Sequence, residues 1–158
     1  MLKTPPSRPE SSGSAHRYVI VASQYNGEFV QGMVEKAIAE ITATEPNSKV
    51  EVVTSPGSFE IPFLAGVALE KAKPDAVLCL GVIFEGKTGH AGLIAASVSD
   101  SLCRMAVDNL TPVIHGVLLL RDEDQARERC LGDEMNRGTE CARAAMQALR
   151  AAHAITTF

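Results

Sequence analysis

The stretch from Gly81 to His90, GVIFEGKTGH, gathers the residue types that could do chemistry. An apolar run, AVLCLGVIF, ends abruptly in Glu85, Gly86, Lys87, Thr88, Gly89 and His90. Gly86 and Gly89 let backbone N–H groups approach a ligand, Lys87 adds positive charge, and Thr88 can cap a following helix and donate its hydroxyl. Such a turn suits an anion. His90 lies within reach of whatever is held there, and an ordinary imidazole pKa of about 6.5 suits proton transfer near neutrality. Taken alone, His90 reads as a capped surface histidine; the company it keeps makes it a candidate base.

An apolar run, a Gly-punctuated polar turn and then a helical pattern is how an open α/β sheet builds a ligand site, at the carboxyl edge of a strand. Four runs read as strands: Tyr18 to Ser23, Lys49 to Thr54, Ala76 to Phe84 and Val113 to Leu120. Three are almost continuously apolar, as parallel strands covered on both faces are. Helical stripes alternate with them: Phe29, Met33, Val34, Ala37, Ile38 and Ile41, then Leu93, Ile94, Val98, Leu102 and Met105. Pro62 can open a helix through Leu69, and Glu123 to Cys130 and Gly138 to Ala152 carry two more patterns. The expected fold is a three-layer α/β/α sandwich with right-handed crossovers. Its four strand-end turns then share one edge: Gln24 to Gly27, SPGSFEIP from Ser55, the opening stretch, and Arg121 with Asp122.

Composition narrows the partners. A chain of 158 residues forms one domain with a self-sufficient core. Net charge of -4 with mixed signs lacks the basic face that nucleic acid requires. Cys79, Cys103, Cys130 and Cys141 stand far apart, which argues against a zinc site or a disulfide framework and predicts a reducing cytoplasm. No apolar run approaches the roughly 20 residues of a membrane span. The Pro- and Ser-rich residues 1–16 have no apolar signal region and are expected to be a disordered tail, leaving 17–158 as the domain. G-x-G-x-x-G, P-loop and G-x-S-x-G motifs are missing, as are the strand-end carboxylates of a phosphate-accepting receiver.

Tyr25-Asn26, PGSFEIP, GVIFEGKTGH, QARERC and NRG occur in the order of the motifs of 6,7-dimethyl-8-ribityllumazine synthases, which the chain resembles over nearly everything after residue 17. The resemblance implies a four-stranded parallel flavodoxin-like sheet, pentamers that sometimes close into shells, and no metal or coenzyme. It implies condensation of 5-amino-6-ribitylaminopyrimidinedione with 3,4-dihydroxy-2-butanone 4-phosphate. By the same resemblance Tyr25, Ser58, Phe59, Glu60, Val82 and Ile83 serve the pyrimidine and ribityl group. Gly86, Lys87, Thr88 and a neighbouring subunit's Arg129 serve the phosphate, His90 shuttles protons, and Arg137 and Glu140 support Arg129. Where the family usually has Arg and Phe flanking this loop, the chain has Glu85 and Ala91, and Lys87 is expected to replace the displaced charge. His115 stands where a neighbour's phenylalanine usually closes the aromatic site, and the Gly-rich kink before the last helix reads CLGDEMN. An archaeal-type riboflavin synthase and a non-catalytic flavin or lumazine binder are the competing functions; Thr88 and Arg129 argue against the first.

Overall fold

The structure is a computed structural model that describes residues 4–157. Four strands, β1 (Arg17–Ser23), β2 (Lys49–Ser55), β3 (Ala76–Phe84) and β4 (Val113–Leu120), form one parallel sheet in the order β2-β1-β3-β4. Five helices pack around it: α1 (Gly27–Thr44), α2 (Ile61–Val67), α3 (His90–Asn109), α4 (Glu123–Ala126) and α5 (Arg137–Thr156). The expected α/β/α sandwich is the observed architecture. Both short helices widen at their ends into π-helical turns, Ala68–Ala72 and Arg127–Leu131.

Strand alternation sorts the core into two halves, because successive side chains point to opposite faces. Tyr18, Ile20, Leu78, Leu80 and Val82 meet Phe29, Met33, Ala142 and Met146 on the α1/α5 side. Val19, Val21, Val77 and Cys79 meet Ile61, Ala65, Val98 and Leu102 on the α2/α3 side. The α1 stripe is buried as its spacing predicts, with Ile38 half-buried. The α3 stripe is narrower than expected, since Leu93 is 72% exposed and only Val98 and Leu102 are fully buried. Leu93 sits one position off the line through Ile94, Val98, Leu102 and Met105, so a helix of 3.6 residues per turn carries it away from the sheet. With Phe63, Val67, Val107 and Leu110 it leaves this layer's outer side apolar and open.

Two close approaches set the geometry. A Cβ on Gly138 would lie 1.9 Å from the Met33 carbonyl oxygen, so α5 rests on α1 with backbone against side-chain-free backbone. A Cβ on Gly81 would lie 2.7 Å from Ser58 Oγ, so the loop after β2 is pressed onto β3. Residues 4–16 contain no helix or strand and run along α1 and α5, with Ser12 N donating to Thr44 O at 3.0 Å. His16 is tied to the buried Glu45, with Nδ1 2.9 Å from Oε2. Tyr18 Oη donates to the same oxygen at 2.7 Å.

Candidate functional site

The chain runs from β1 outward to β2 and then crosses back to β3, so the direction of winding reverses between β1 and β3. Their carboxyl ends therefore diverge into a crevice, the place where open α/β sheets bind ligands. A cavity of about 740 Å³ occupies it, lined by the loops after β1, β2 and β3 and the start of α3. Tyr25 and Phe59 stand at it largely exposed, at 73% and 59%. Ser58, Glu60, Val82, Ile83, Gly86, Thr88 and His90, also named from the sequence, line it with them. Ser58 Oγ is buried without a hydrogen-bond partner, an uncommon condition for a polar atom and one that a ligand group could relieve.

The fourth strand-end turn, expected on the same edge, does not line this cavity. Asp122 instead caps α4, accepting from Gln125 N at 2.9 Å, and Arg121 N donates to Gln125 Oε1 at 3.1 Å. Lys87 is exposed and outside the lining. Thr88 lines the cavity but does not cap α3: Gly89 holds the N-cap position, with no side-chain cap, and α3 starts at His90. The free N–H groups of that first turn and the helix dipole remain available to an anion.

Asn26 is a residue the sequence reading left without a role. It occupies the N-cap position of α1 without a side-chain cap, in the left-handed conformation, φ 54°, which asparagine tolerates better than most residues. Its side-chain amide donates to Val82 O at 2.8 Å and ties the first loop to the floor of the cavity. The Asn-Gly pair was the available signal, since that dipeptide marks positive-φ turns.

The cations collect elsewhere. Arg129, on the π-helical turn after α4, donates from Nη1 and Nη2 to both carboxylate oxygens of Glu140, at 3.0 and 2.9 Å, and from Nη1 to Met135 O at 3.0 Å. Arg137 Nη1 donates to Glu140 Oε2 at 3.0 Å and Nη2 to His115 O at 2.7 Å, while its Nε is buried without a partner. Burial opposes ionisation of Glu140, but the hydrogen bonds from Arg129 and Arg137 outweigh it and hold the carboxyl below its usual range. Two guanidiniums against one carboxylate leave a residual positive charge. These residues line a second cavity of about 310 Å³ together with Ile114, Met135, Cys141 and the N-terminal segment. Asn136 organises the loop beneath it: Oδ1 caps α5 by accepting from Gly138 N at 2.9 Å, and Nδ2 donates to Cys130 O at 2.6 Å. CLGDEMN is thus closed by its own asparagine.

His115 enters neither cavity in the single chain. Its ring lies half-buried against α3, with Nε2 2.7 Å from Ser99 Oγ. Because Ser99 spends its own hydrogen on Ala95 O at 2.7 Å, the imidazole is the donor. Burial lowers the His115 pKa; a backbone hydrogen bond opposes this, and the Arg137 charge adds to the lowering. All four cysteines are free, and burial pushes Cys130 and Cys141 up to about 11, so neither offers a thiolate near neutrality. Among the described residues no helix is long and apolar enough to cross a membrane.

The chain is 39% identical to the 6,7-dimethyl-8-ribityllumazine synthase of Leifsonia xyli over 136 residues, covering 85% of this chain and 84% of that one. It is 33% identical to the enzyme of the same name from Methylobacterium radiotolerans, over 91% and 85% of the two chains. With that of Thermococcus kodakarensis the identity is 34%, over 87% of each. A model of one enzyme family, 6,7-dimethyl-8-ribityllumazine synthase, matches residues 15–153, which contain both cavities' loops apart from the N-terminal segment, and the chain belongs to that family.

Proposed function

We propose that the protein condenses 5-amino-6-ribitylaminopyrimidinedione with 3,4-dihydroxy-2-butanone 4-phosphate to 6,7-dimethyl-8-ribityllumazine, releasing phosphate and water, as a cytoplasmic homo-oligomer built on pentamers. One observation carries the reading. The larger cavity has aromatic rings, a carboxylate and an imidazole but no Lys or Arg in its lining, whereas the smaller has two arginines and no aromatic ring. A phosphorylated substrate and a planar pyrimidine need both, and joining one chain's first cavity to a neighbour's second supplies both. The open apolar side of the α2/α3 layer supports such an association, since exposed apolar surface of this kind marks contact sites.

In this reading Tyr25 and Phe59 sandwich the pyrimidine, Val82 and Ile83 form its floor, and Ser58 Oγ and Glu60 take the ribityl hydroxyls. Gly86, Lys87, Thr88 and the amino end of α3 receive the phosphate, joined by the neighbour's Arg129, which Glu140 orients and Arg137 supports. The neighbour's His115 borders the aromatic site. The nucleophile is the substrate's own amine, so the protein's task is to hold amine and carbonyl at attack distance and to move protons, which His90 does. The net change involves no electron transfer, and no metal or coenzyme is called for.

Incubating the purified protein with both substrates should produce the absorbance of the lumazine, and sedimentation should show an oligomer. Tight binding of lumazine without turnover would instead assign a binding role, and consumption of two lumazines would assign a riboflavin synthase.

A further inference from the structure

We infer that residues 4–12 form a strap that walls the Arg129–Glu140–Arg137 cavity and strengthens its grip on an anion by excluding water. The inference rests on the phosphate assignment above and adds to it a positioning element that lies outside the family's matched region.

The strap is held at closely spaced points along one face of α5. Arg143 Nη1 donates to Pro6 O at 2.6 Å, Gln147 Nε2 to Ser7 O at 3.1 Å and Arg150 Nη2 to Glu10 O at 2.6 Å. Residues 143, 147 and 150 recur at helical spacing, so a single helix face reads three strap carbonyls. Glu40 of α1 is the clamp. It is buried, accepts from Arg143 Nε at 2.7 Å, and takes Arg8 in a bidentate pair at 2.9 and 2.8 Å. Ser11 Oγ and Ser12 N both donate to Thr44 O and close the far end.

This anchoring sets Thr4, Pro5 and Pro6 against the cavity that Arg129, Arg137 and Glu140 line. Two consecutive prolines make a stiff wall with no N–H of its own to hydrate or to compete for the anion. A wall that displaces water lowers the local dielectric and makes each guanidinium–anion contact stronger and less screened by salt. Arg8, Glu40 and Arg143 are therefore positioning residues, distant in sequence from the cations they serve.

The test uses the full chain, as Pro5→Gly/Pro6→Gly and as Arg8→Ala, the latter leaving the Glu40–Arg143 pair in place. Inorganic phosphate is titrated calorimetrically at low and moderate ionic strength, with melting temperature and sedimentation as controls. Each variant should bind phosphate at least about threefold more weakly, with a steeper loss as salt rises and with unchanged assembly. Equal affinity and equal salt slope in wild type and strap variants, with binding lost in Arg129→Ala, overturns the strap alone. Failure of the wild-type chain to bind phosphate, or binding indifferent to Arg129→Ala, overturns the phosphate assignment and the strap's role with it.

Discussion

Asn26 donates its side-chain amide to the main-chain oxygen of Val82 at 2.8 Å, so the loop carrying Tyr25 is fastened to the strand that forms the floor of the larger cavity. Asn26→Gly keeps the left-handed backbone and removes only this bond. It should cost about 0.5 to 1.5 kcal/mol of stability and raise KM for the pyrimidine substrate more than it lowers kcat. Chemical denaturation beside steady-state kinetics checks both; an unchanged KM would show that the loop holds its place without Val82.

Gly81 is needed for packing rather than for chemistry. In Gly81→Ala the new Cβ meets Ser58 Oγ at 2.7 Å and Ile61 Cδ1 at 3.2 Å, so the loop after β2 must lift from β3. A loss of about 1 to 3 kcal/mol is expected, with weaker pyrimidine binding because Ser58, Phe59 and Glu60 move together. Ser58→Ala in the same chain should restore part of the stability, which a double-mutant cycle would measure.

His90→Ala should lower kcat without abolishing turnover. Holding amine and carbonyl at attack distance contributes more than the roughly 10²- to 10⁴-fold that one general acid–base group supplies. Affinity for phosphate and the sedimentation profile should be unchanged. Wild-type rates across the neutral range would remove His90 from the mechanism.

Stability should fall with acid in two stages. His115 is lowered in the folded chain, so its contribution is present above the unfolded value of about 6.5 and is lost as pH falls below it toward the folded pKa. Glu40, Glu45 and Glu140 are also lowered, so their contribution is complete above about 4.3 and disappears as pH drops through their folded values. His115→Gln keeps a donor for Ser99 and should flatten the first stage while leaving the second. Melting temperatures recorded from neutral to acidic pH decide between this and a single carboxylate-driven decline.

The sequence by itself determined the alternation of strands and helices, because burial on both faces demands continuous apolar strands and burial on one demands a helical stripe. Strand ends fell within a residue of expectation. It also determined which residue types stand at the strand ends, and the motifs they compose were enough to resemble one family. Tertiary structure decided which of those turns meet. Strand order β2-β1-β3-β4 joins the loops after β1, β2 and β3 in one crevice and turns Arg121 and Asp122 away to build α4. Periodicity alone could not foresee that Thr88 leaves the cap to Gly89, or that the Arg129 cluster lies in a separate cavity walled by the N-terminal segment. Those outcomes depend on contacts between residues far apart in the chain, such as Arg8 with Glu40 and Gly138 with Met33, whose pairing no local pattern encodes.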